Sequence, residues 1–209
     1  MTDLTRPDAL LFDLGRVLVG YDWNDSLRRF ADRLDGVSVD EIREWILDPN
    51  GPVDAYGRGG IDDTAFLESL HARFDPERRI DDAWLVELWC DMFEPWPASL
   101  ELVDRLQPQA GLALVSNTNP LHFETLDHRL GLRKRFDHVS VSHEVGALKP
   151  EPAIFRHALD GLGVDADRAW FTDDLDENLA GARALGIRTH RFETVDELRR
   201  ELASLDFVV

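Results

Sequence analysis

The sequence predicts an α/β protein in which a parallel sheet with crossover helices carries an inserted helical bundle. Three observations lead to this fold class. An apolar run at residues 8–13 predicts a buried strand near the N-terminus. About 85 residues with helical periodicity follow it, and from Pro97 onward helices and strands alternate. Such alternation is typical of a Rossmann-like parallel sheet, so the helical block is an insertion after the first strand.

The inserted block is predicted to be a bundle of helices. Apolar residues recur at i, i+3, i+4 and i+7 over residues 27–34, which is the spacing of one helix face. Residues 38–41, Ser-Val-Asp-Glu, predict a capping box at the start of another helix. The glycines within residues 57–60 predict a flexible loop, in which Arg58 is expected to be exposed. We find no convincing strand between residues 19 and 97.

The second half of the chain alternates regularly. Its predicted strands cover residues 112–115, 138–142, 169–172 and 187–192. Its predicted helices cover residues 122–130, 154–162 and 179–185, and Thr194 to Glu197 predicts a capping box for a last helix. The predicted domains are an α/β catalytic core, residues 1–18 and 98–209, and a helical cap, residues 19–97.

Composition favours a globular protein with small partners. The 209 residues are 44% hydrophobic and carry a formal net charge of −18 at pH 7. This charge disfavours nucleic acid and anionic membranes, because both are bound through basic surface. No stretch approaches the roughly 20 apolar residues of a membrane span, and residues 1–7 lack the apolar core of a signal peptide. We therefore expect a cytoplasmic protein. Its single cysteine, Cys90, excludes an internal disulfide, and its oligomeric state stays open.

Polar residues stand at the ends of three predicted strands. Asp13 ends the first strand, Ser116 follows Val115, and Asp173-Asp174 follows Thr172. Ligands bind beyond the carboxyl ends of strands in an open parallel sheet, so these side chains are expected to meet in one crevice. Lys149 is one of only two lysines in a chain that otherwise uses arginine, which makes its compact ammonium conspicuous.

These residue types meet the needs of phosphoryl transfer. The reaction requires a nucleophile, a cation that offsets charge, and hydrogen bonds to phosphate oxygens. Asp13 can attack phosphorus, and Mg²⁺ prefers oxygen ligands such as Asp13 and Asp174. Ser116 and the amides after it can hold phosphate oxygens, while Lys149 offsets negative charge. The sequence thus predicts a Mg²⁺-dependent phosphatase for a small phosphorylated metabolite.

Four segments in chain order resemble the motifs of the haloacid dehalogenase superfamily, specifically its phosphatase branch with a helical cap. The resemblance spans about residues 8–192, and four motifs in order are far more specific than any one alone. The matching segments are Phe12 to Leu18, Val115 to Asn119, Leu148 to Pro152, and Phe171 to Asn178 followed by Gly181-Ala182.

The resemblance implies a catalytic set of Asp13, Ser116 and Lys149, with Asp13 passing through an aspartyl phosphate. Ser116, Asn117 and Lys149 are expected to contact the phosphate. The run Ser-Asn-Thr-Asn at residues 116–119 is most similar to bacterial sugar-phosphate phosphatases of the α-glucose-1-phosphate type. A sugar phosphate is therefore the substrate class that the resemblance implies.

The resemblance also implies that Asp13, Asp174 and the main-chain carbonyl of Gly15 bind the metal, and Asp173 completes the predicted metal set as the other member of the acidic pair. We expect one residue of the acidic pair to bind the metal and the other to hydrogen-bond within its loop.

Two positions depart from the superfamily pattern. Most of its phosphatases carry a second aspartate where this chain has Gly15, and that aspartate gives a proton to the leaving group. Loss of such proton transfer is worth on the order of 10²–10⁴-fold in rate. The next position is usually glycine and here is Arg16, which either contacts substrate or disfavours the usual backbone of the loop.

Two other functions stay open. A metal-independent 2-haloacid dehalogenase also uses a lone aspartate, but the acidic pair Asp173-Asp174 would then only repel Asp13. A catalytically weak protein that binds a phosphorylated ligand or a protein partner as a regulator is the other alternative, supported by Gly15 and Arg16.

Overall fold

A computed structural model describes residues 6–209, so the expectations about residues 1–5 lie outside the described residues. It contains seven strands: β1 (Ala9–Phe12), β2 (Val19–Tyr21), β3 (Phe93–Pro95), β4 (Gly111–Ser116), β5 (His138–Val141), β6 (Ala169–Asp173) and β7 (Arg188–Arg191). Five of them form one parallel sheet in the order β5-β4-β1-β6-β7. The predicted α/β class is confirmed.

Twelve α-helices surround and cap this sheet. Five lie in the insert: α1 (Asn24–Ala31), α2 (Val39–Ile46), α3 (Pro52–Gly57), α4 (Asp63–Phe74) and α5 (Asp82–Cys90). Seven belong to the second half: α6 (Pro97–Leu106), α7 (Pro120–Leu130), α8 (Leu132–Arg135), α9 (Ser142–Val145), α10 (Pro152–Leu162), α11 (Asp176–Ala184) and α12 (Val195–Ser204). A short 3₁₀ turn, Ala166–Arg168, precedes β6.

The central strand β1 is buried on both faces, as a parallel sheet covered by helices requires. Its side chains alternate: Leu10 and Phe12 pack into one apolar cluster, whereas Ala9 and Leu11 pack into the other. Because β1 lies between β4 and β6, its last residue is flanked by both neighbouring strand ends. The continuous apolar run that predicted this strand is thus explained by its central position.

The insert has an apolar core of its own. Side chains from its helices form a cluster separate from those of the sheet, among them Phe30, Ile42, Phe66 and Leu85. The predicted capping box is present, since the Ser38 hydroxyl accepts the Glu41 amide while the Glu41 carboxylate accepts the Ser38 amide. The helical bundle predicted for this block is present, whereas the domain boundaries at 18/19 and 97/98 stay a prediction.

The expectation that residues 19–97 contain no strand is wrong. Strands β2 and β3 pair in antiparallel fashion where the chain leaves and re-enters the core. Each has only three residues and is partly exposed, which is too short for a recognisable alternation. This two-stranded ribbon joins the cap to the core. Within residues 6–209, no helix combines the length and hydropathy that a membrane crossing requires.

A stability comparison tests the assignment of the core. Leu10 is fully buried in β1, and Leu10→Ala should lower the free energy of unfolding by about 2–5 kcal/mol. Leu47 follows α2 and is largely exposed, so Leu47→Ala should change it by less than about 0.5 kcal/mol. Urea denaturation followed by circular dichroism measures both. Equal losses in the two variants would contradict this description of the core.

Candidate active site

The predicted convergence of strand ends is present in the structure. Asp13 directly follows β1, Ser116 ends β4 and Asp173 ends β6, and these three strands are neighbours in the sheet. All three side chains are buried. The amide of Asp13 donates to the carbonyl of Thr172 at 3.0 Å, which extends the ladder between β1 and β6 by one residue.

Lys149 enters this cluster from the loop before α10. Its buried ammonium donates to Asp13 Oδ1 at 2.5 Å and to Asp173 Oδ2 at 2.7 Å. The side chain of Asn117 fixes the lysine backbone: Nδ2 donates to the carbonyl of Lys149 at 3.0 Å, and Oδ1 accepts its amide at 2.7 Å. Both ends of the Asn117 side-chain amide are thus bound to the backbone of Lys149.

Burial and neighbouring charges both shift the pKa values of the cluster. Burial raises the pKa of Asp13 to about 7, Lys149 opposes this shift, and Asp173 adds to it. Burial works against the charge on Lys149, but Asp13 and Asp173 outweigh that effect and raise its pKa. Lys149 is therefore a firm cation at neutral pH, whereas Asp13 is poised between its two protonation states in the absence of a metal.

The two members of the acidic pair have different environments. Asp173 is fully buried and accepts from Lys149, from the amide of Leu175 and from Asn178 Nδ2, so both of its oxygens are engaged. Asp174 is only partly buried and lines the cavity above the cluster. Burial and then the neighbouring Asp173 raise the pKa of Asp174. The charged form of Asp174 is therefore destabilised, and a bound cation would stabilise it.

The donor set suits a hard divalent cation. Oxygens of Asp13, Asp173 and Asp174 lie within 4.8 Å of one another. Three carboxylates against the single ammonium of Lys149 leave an excess of negative charge. Carboxylate oxygens are the ligands that Mg²⁺ prefers, and it takes one or two of them. The site therefore fits such an ion.

A cavity of about 590 Å³ lies between this strand edge and the cap. Its base is polar and includes Asp13, Ser116, Lys149 and Asp174, while its roof comes from the cap helices. The volume falls within the range of small-molecule sites. The predicted catalytic residues and residues of the cap thus line the same cavity.

The residues at positions 15 and 16, where the chain departs from the superfamily pattern, both lie against Tyr21 of β2. A Cβ atom at residue 15 would lie 3.0 Å from Tyr21 Cε1, so the tyrosine ring occupies the space that a side chain would need. Arg16 has a φ of 57°, in the left-handed region, and its guanidinium lies 5.2 Å from the centroid of the same ring. Arg16 is not among the residues that line the cavity. Arg16 therefore adopts a backbone conformation that favours glycine, and its guanidinium packs on Tyr21.

The expectation that Arg58 is exposed and flexible is wrong. Its guanidinium donates to Asp54 at 2.9 Å within the cap and to Glu151 at 2.7 Å across to the core. The neighbouring Gly59 has a φ of 68°, and a Cβ there would lie 2.1 Å from the carbonyl oxygen of His143. Only glycine permits this approach. The loop is therefore a joint between cap and core.

Sequence reasoning did not assign a role to two other residues. Asn178 on α11 is buried and donates to both oxygens of Asp173, which orients that carboxylate toward Lys149. The hydroxyl of Tyr56 donates to Asp63 at 2.6 Å and accepts the amide of Leu121 at 3.2 Å, which ties the cap to α7. The position of Asn178 within the fourth motif was an available signal, whereas nothing in the sequence pointed to Tyr56.

Comparison with known proteins agrees with this architecture. The family model for haloacid dehalogenase-like hydrolases matches residues 7–186, and the chain belongs to this family. Phosphatase MT3486 of Mycobacterium tuberculosis is 26% identical over 217 residues, which cover 96% of this chain and 96% of that protein. The predicted hydrolase class is confirmed.

Other similar proteins show how widely the fold is used. Drimenol cyclase drtB of Aspergillus calidoustus is 27% identical over 201 residues, or 94% of this chain, yet the chain spans only 36% of its length. A haloacid dehalogenase family enzyme of Bacteroides thetaiotaomicron, solved in complex with magnesium and inorganic phosphate, has a TM-score of 0.81 at 24% identity. That match covers 90% of this chain and 94% of the other, and it shows the shared fold.

The raised pKa of Asp13 leads to a test without metal. In EDTA at about pH 8, Asp13→Asn should raise the Tm, because the folded pKa near 7 lies above the unfolded value of 3.8 and ionisation therefore destabilises the fold. As the pH falls toward about 5, the wild type takes up the proton and the difference should shrink. Scanning calorimetry measures the difference in Tm between the variant and the wild type.

The control is Asp176→Asn, an exposed carboxylate that pairs with Arg191. Its Tm should follow the wild type across the same pH range. A Tm for Asp13→Asn below that of the wild type at the higher pH would contradict the assigned electrostatics.

Proposed function

We propose that this chain is a Mg²⁺-dependent phosphatase that hydrolyses a small phosphate monoester through an aspartyl phosphate on Asp13. The observation that carries the proposal is the ammonium of Lys149 held between Asp13 and Asp173 at the base of the cavity. It directs a buried carboxylate toward the space where a phosphoryl group would sit. Phosphoryl transfer depends on such positioning and charge stabilisation.

The metal is proposed to be held by Asp13, Asp174 and the carbonyl of Gly15. Asp173 was included in the predicted metal set, but its saturated hydrogen bonds favour a role in positioning Lys149. Bound Mg²⁺ supplies positive charge that brings the phosphate and the Asp13 carboxylate together against their mutual repulsion. The excess of carboxylates disfavours the metal-free dehalogenase alternative, which has no use for it.

The proposed reaction has two displacements. An oxygen of Asp13 bonds to phosphorus while the bond from phosphorus to the leaving oxygen breaks, and that oxygen takes a proton from water. A water oxygen then bonds to phosphorus while the bond from phosphorus to Asp13 breaks, which releases inorganic phosphate, passes a proton to solvent and restores the Asp13 carboxylate. Lys149, the Ser116 hydroxyl and the amides after it hold the phosphoryl oxygens in both steps.

The relatives support this reaction class without fixing the substrate. The Mycobacterium tuberculosis relative is named as a phosphatase. A further relative, from Escherichia coli, is a pyrimidine 5'-nucleotidase that is 27% identical to this chain over 195 residues. A sugar phosphate as substrate and a cytoplasmic location both stay predictions.

The nucleophile assignment is tested by Asp13→Asn. An amide cannot form the aspartyl phosphate, so Mg²⁺-dependent release of phosphate from para-nitrophenyl phosphate should fall by at least about 10³-fold. Asp176→Asn is the matched control and should keep wild-type activity. Residual activity in Asp13→Asn within about tenfold of the wild type would remove Asp13 from the role of nucleophile.

The glycine at residue 15 leads to a prediction about leaving groups. Without a carboxylate at this position, kcat/KM should fall steeply as the pKa of the leaving phenol rises, because proton donation normally contributes on the order of 10²–10⁴-fold. A series of substituted phenyl phosphates with Mg²⁺ measures this slope. A rate independent of leaving-group pKa would show that another residue donates the proton.

A further inference from the structure

The roof of the cavity is made almost entirely of apolar side chains. Cap residues that line it include Trp23, Ile46, Leu47, Val53, Trp89 and Met92. The polar residues of the cavity are concentrated on the opposite wall, at the strand ends. Base and roof therefore differ sharply in chemistry, with phosphate-binding groups on one side and hydrocarbon on the other.

Large apolar side chains are exposed at this cavity and hardly elsewhere. Among residues 6–209, four large hydrophobic residues are exposed: Tyr21 (40%), Leu47 (60%), Leu175 (50%) and Val208 (76%). The first three line the cavity, and only Val208 lies away from it, near the C-terminus. In a chain with a net charge of −18, this clustering is not ordinary surface composition. Exposed large apolar side chains gathered at one cavity are typical of a binding site.

The polar groups of the roof are few, and its two carboxylates each accept a hydrogen bond from the protein through one oxygen. Asp48 accepts the amide of Asn50, and Asp54 accepts from Arg58. The indole nitrogen of Trp89 is sealed from solvent, so this ring turns no donor toward a ligand. A sugar has several hydroxyls that need partners when desolvated, and their burial without partners is costly.

The charges that line the cavity also limit which charged groups a substrate can carry besides its phosphate. Among its lining residues in the described part of the chain, Lys149 at the base is the only lysine or arginine. The two acidic residues of the roof, Asp48 and Asp54, would repel a second phosphate or a carboxylate. The roof therefore suits an uncharged group that is poor in hydroxyls.

We infer that the substrate is a phosphate monoester of a hydrocarbon-rich alcohol or phenol, with its apolar group packed beneath Leu47 and beside Leu175. This inference rests on the proposed phosphatase function and names a substrate class that differs from the sugar phosphate implied by the resemblance. The phosphate lies at the Asp13 end of the cavity, and its apolar group extends toward the cap. The cavity volume of about 590 Å³ leaves room for a group well beyond a phenyl ring.

A homologous substrate series tests the inference. Phenyl phosphate and its para-ethyl, para-butyl and para-hexyl derivatives have leaving groups of nearly equal pKa, so differences among them report binding of the chain. With Mg²⁺ present, kcat/KM should rise by up to about fourfold for each added methylene until the cavity is filled. A glucose phosphate should have a kcat/KM at least about tenfold below that of the butyl derivative.

One variant locates the contact. Leu47→Ser should lower kcat/KM for the para-hexyl derivative by about tenfold or more, mainly through KM, and leave that for phenyl phosphate within about twofold. Val208→Ser is the matched control, because it changes an exposed apolar residue outside the cavity. It should leave the whole series unchanged.

The outcomes separate this inference from the proposed function. A flat response to chain length, or a preference for the glucose phosphate, with Mg²⁺-dependent turnover retained, would overturn the apolar substrate and leave the phosphatase proposal standing. An equal effect of Val208→Ser and Leu47→Ser would also overturn it. Absence of Mg²⁺-dependent turnover from para-nitrophenyl phosphate as well as from the series would overturn both.

Discussion

The buried contact of one ammonium with two carboxylates is the constraint on which the rest of the site depends. Lys149 lies between Asp13 and Asp173 where water is excluded, and charges in such a place are stable only when paired and hydrogen-bonded. Asn117 holds the lysine backbone and Asn178 holds the second carboxylate. The loop, the strand ends and α11 are thus fixed relative to one another, and the Asp13 carboxylate is held in place at the edge of the sheet.

The cap and the core contribute chemically different walls to the cavity. The core supplies the polar groups at the base of the cavity, and the register of the sheet sets the spacing of those on strand ends. The cap supplies an apolar roof and is joined to the core by the β2–β3 ribbon and by the contacts of Arg58 and Tyr56. In the proposed function, the sheet therefore carries the chemistry and the cap helices select the leaving group.

Much of the candidate site could be predicted from the sequence because its residues follow short, strongly patterned segments. Asp13 and Ser116 directly follow apolar runs that form parallel strands, and their approach is a consequence of sheet topology. The sequence could not assign separate roles to Asp173 and Asp174, because the two are adjacent and chemically identical. Only the hydrogen bonds from Lys149 and Asn178 distinguish the saturated carboxylate from the one that faces the cavity.

The sequence by itself determined the α/β class, the inserted helical block and the identity of the polar residues at the strand ends, because periodicity and strand-end position are local properties. The tertiary structure alone decided that Tyr21 occupies the space beside Gly15, that Arg58 joins cap to core, and that Leu47 faces the site. These features join residues that are distant in the chain or lie on short strands without a periodic signal. Their physical origin is packing between cap and core, which local patterns do not encode.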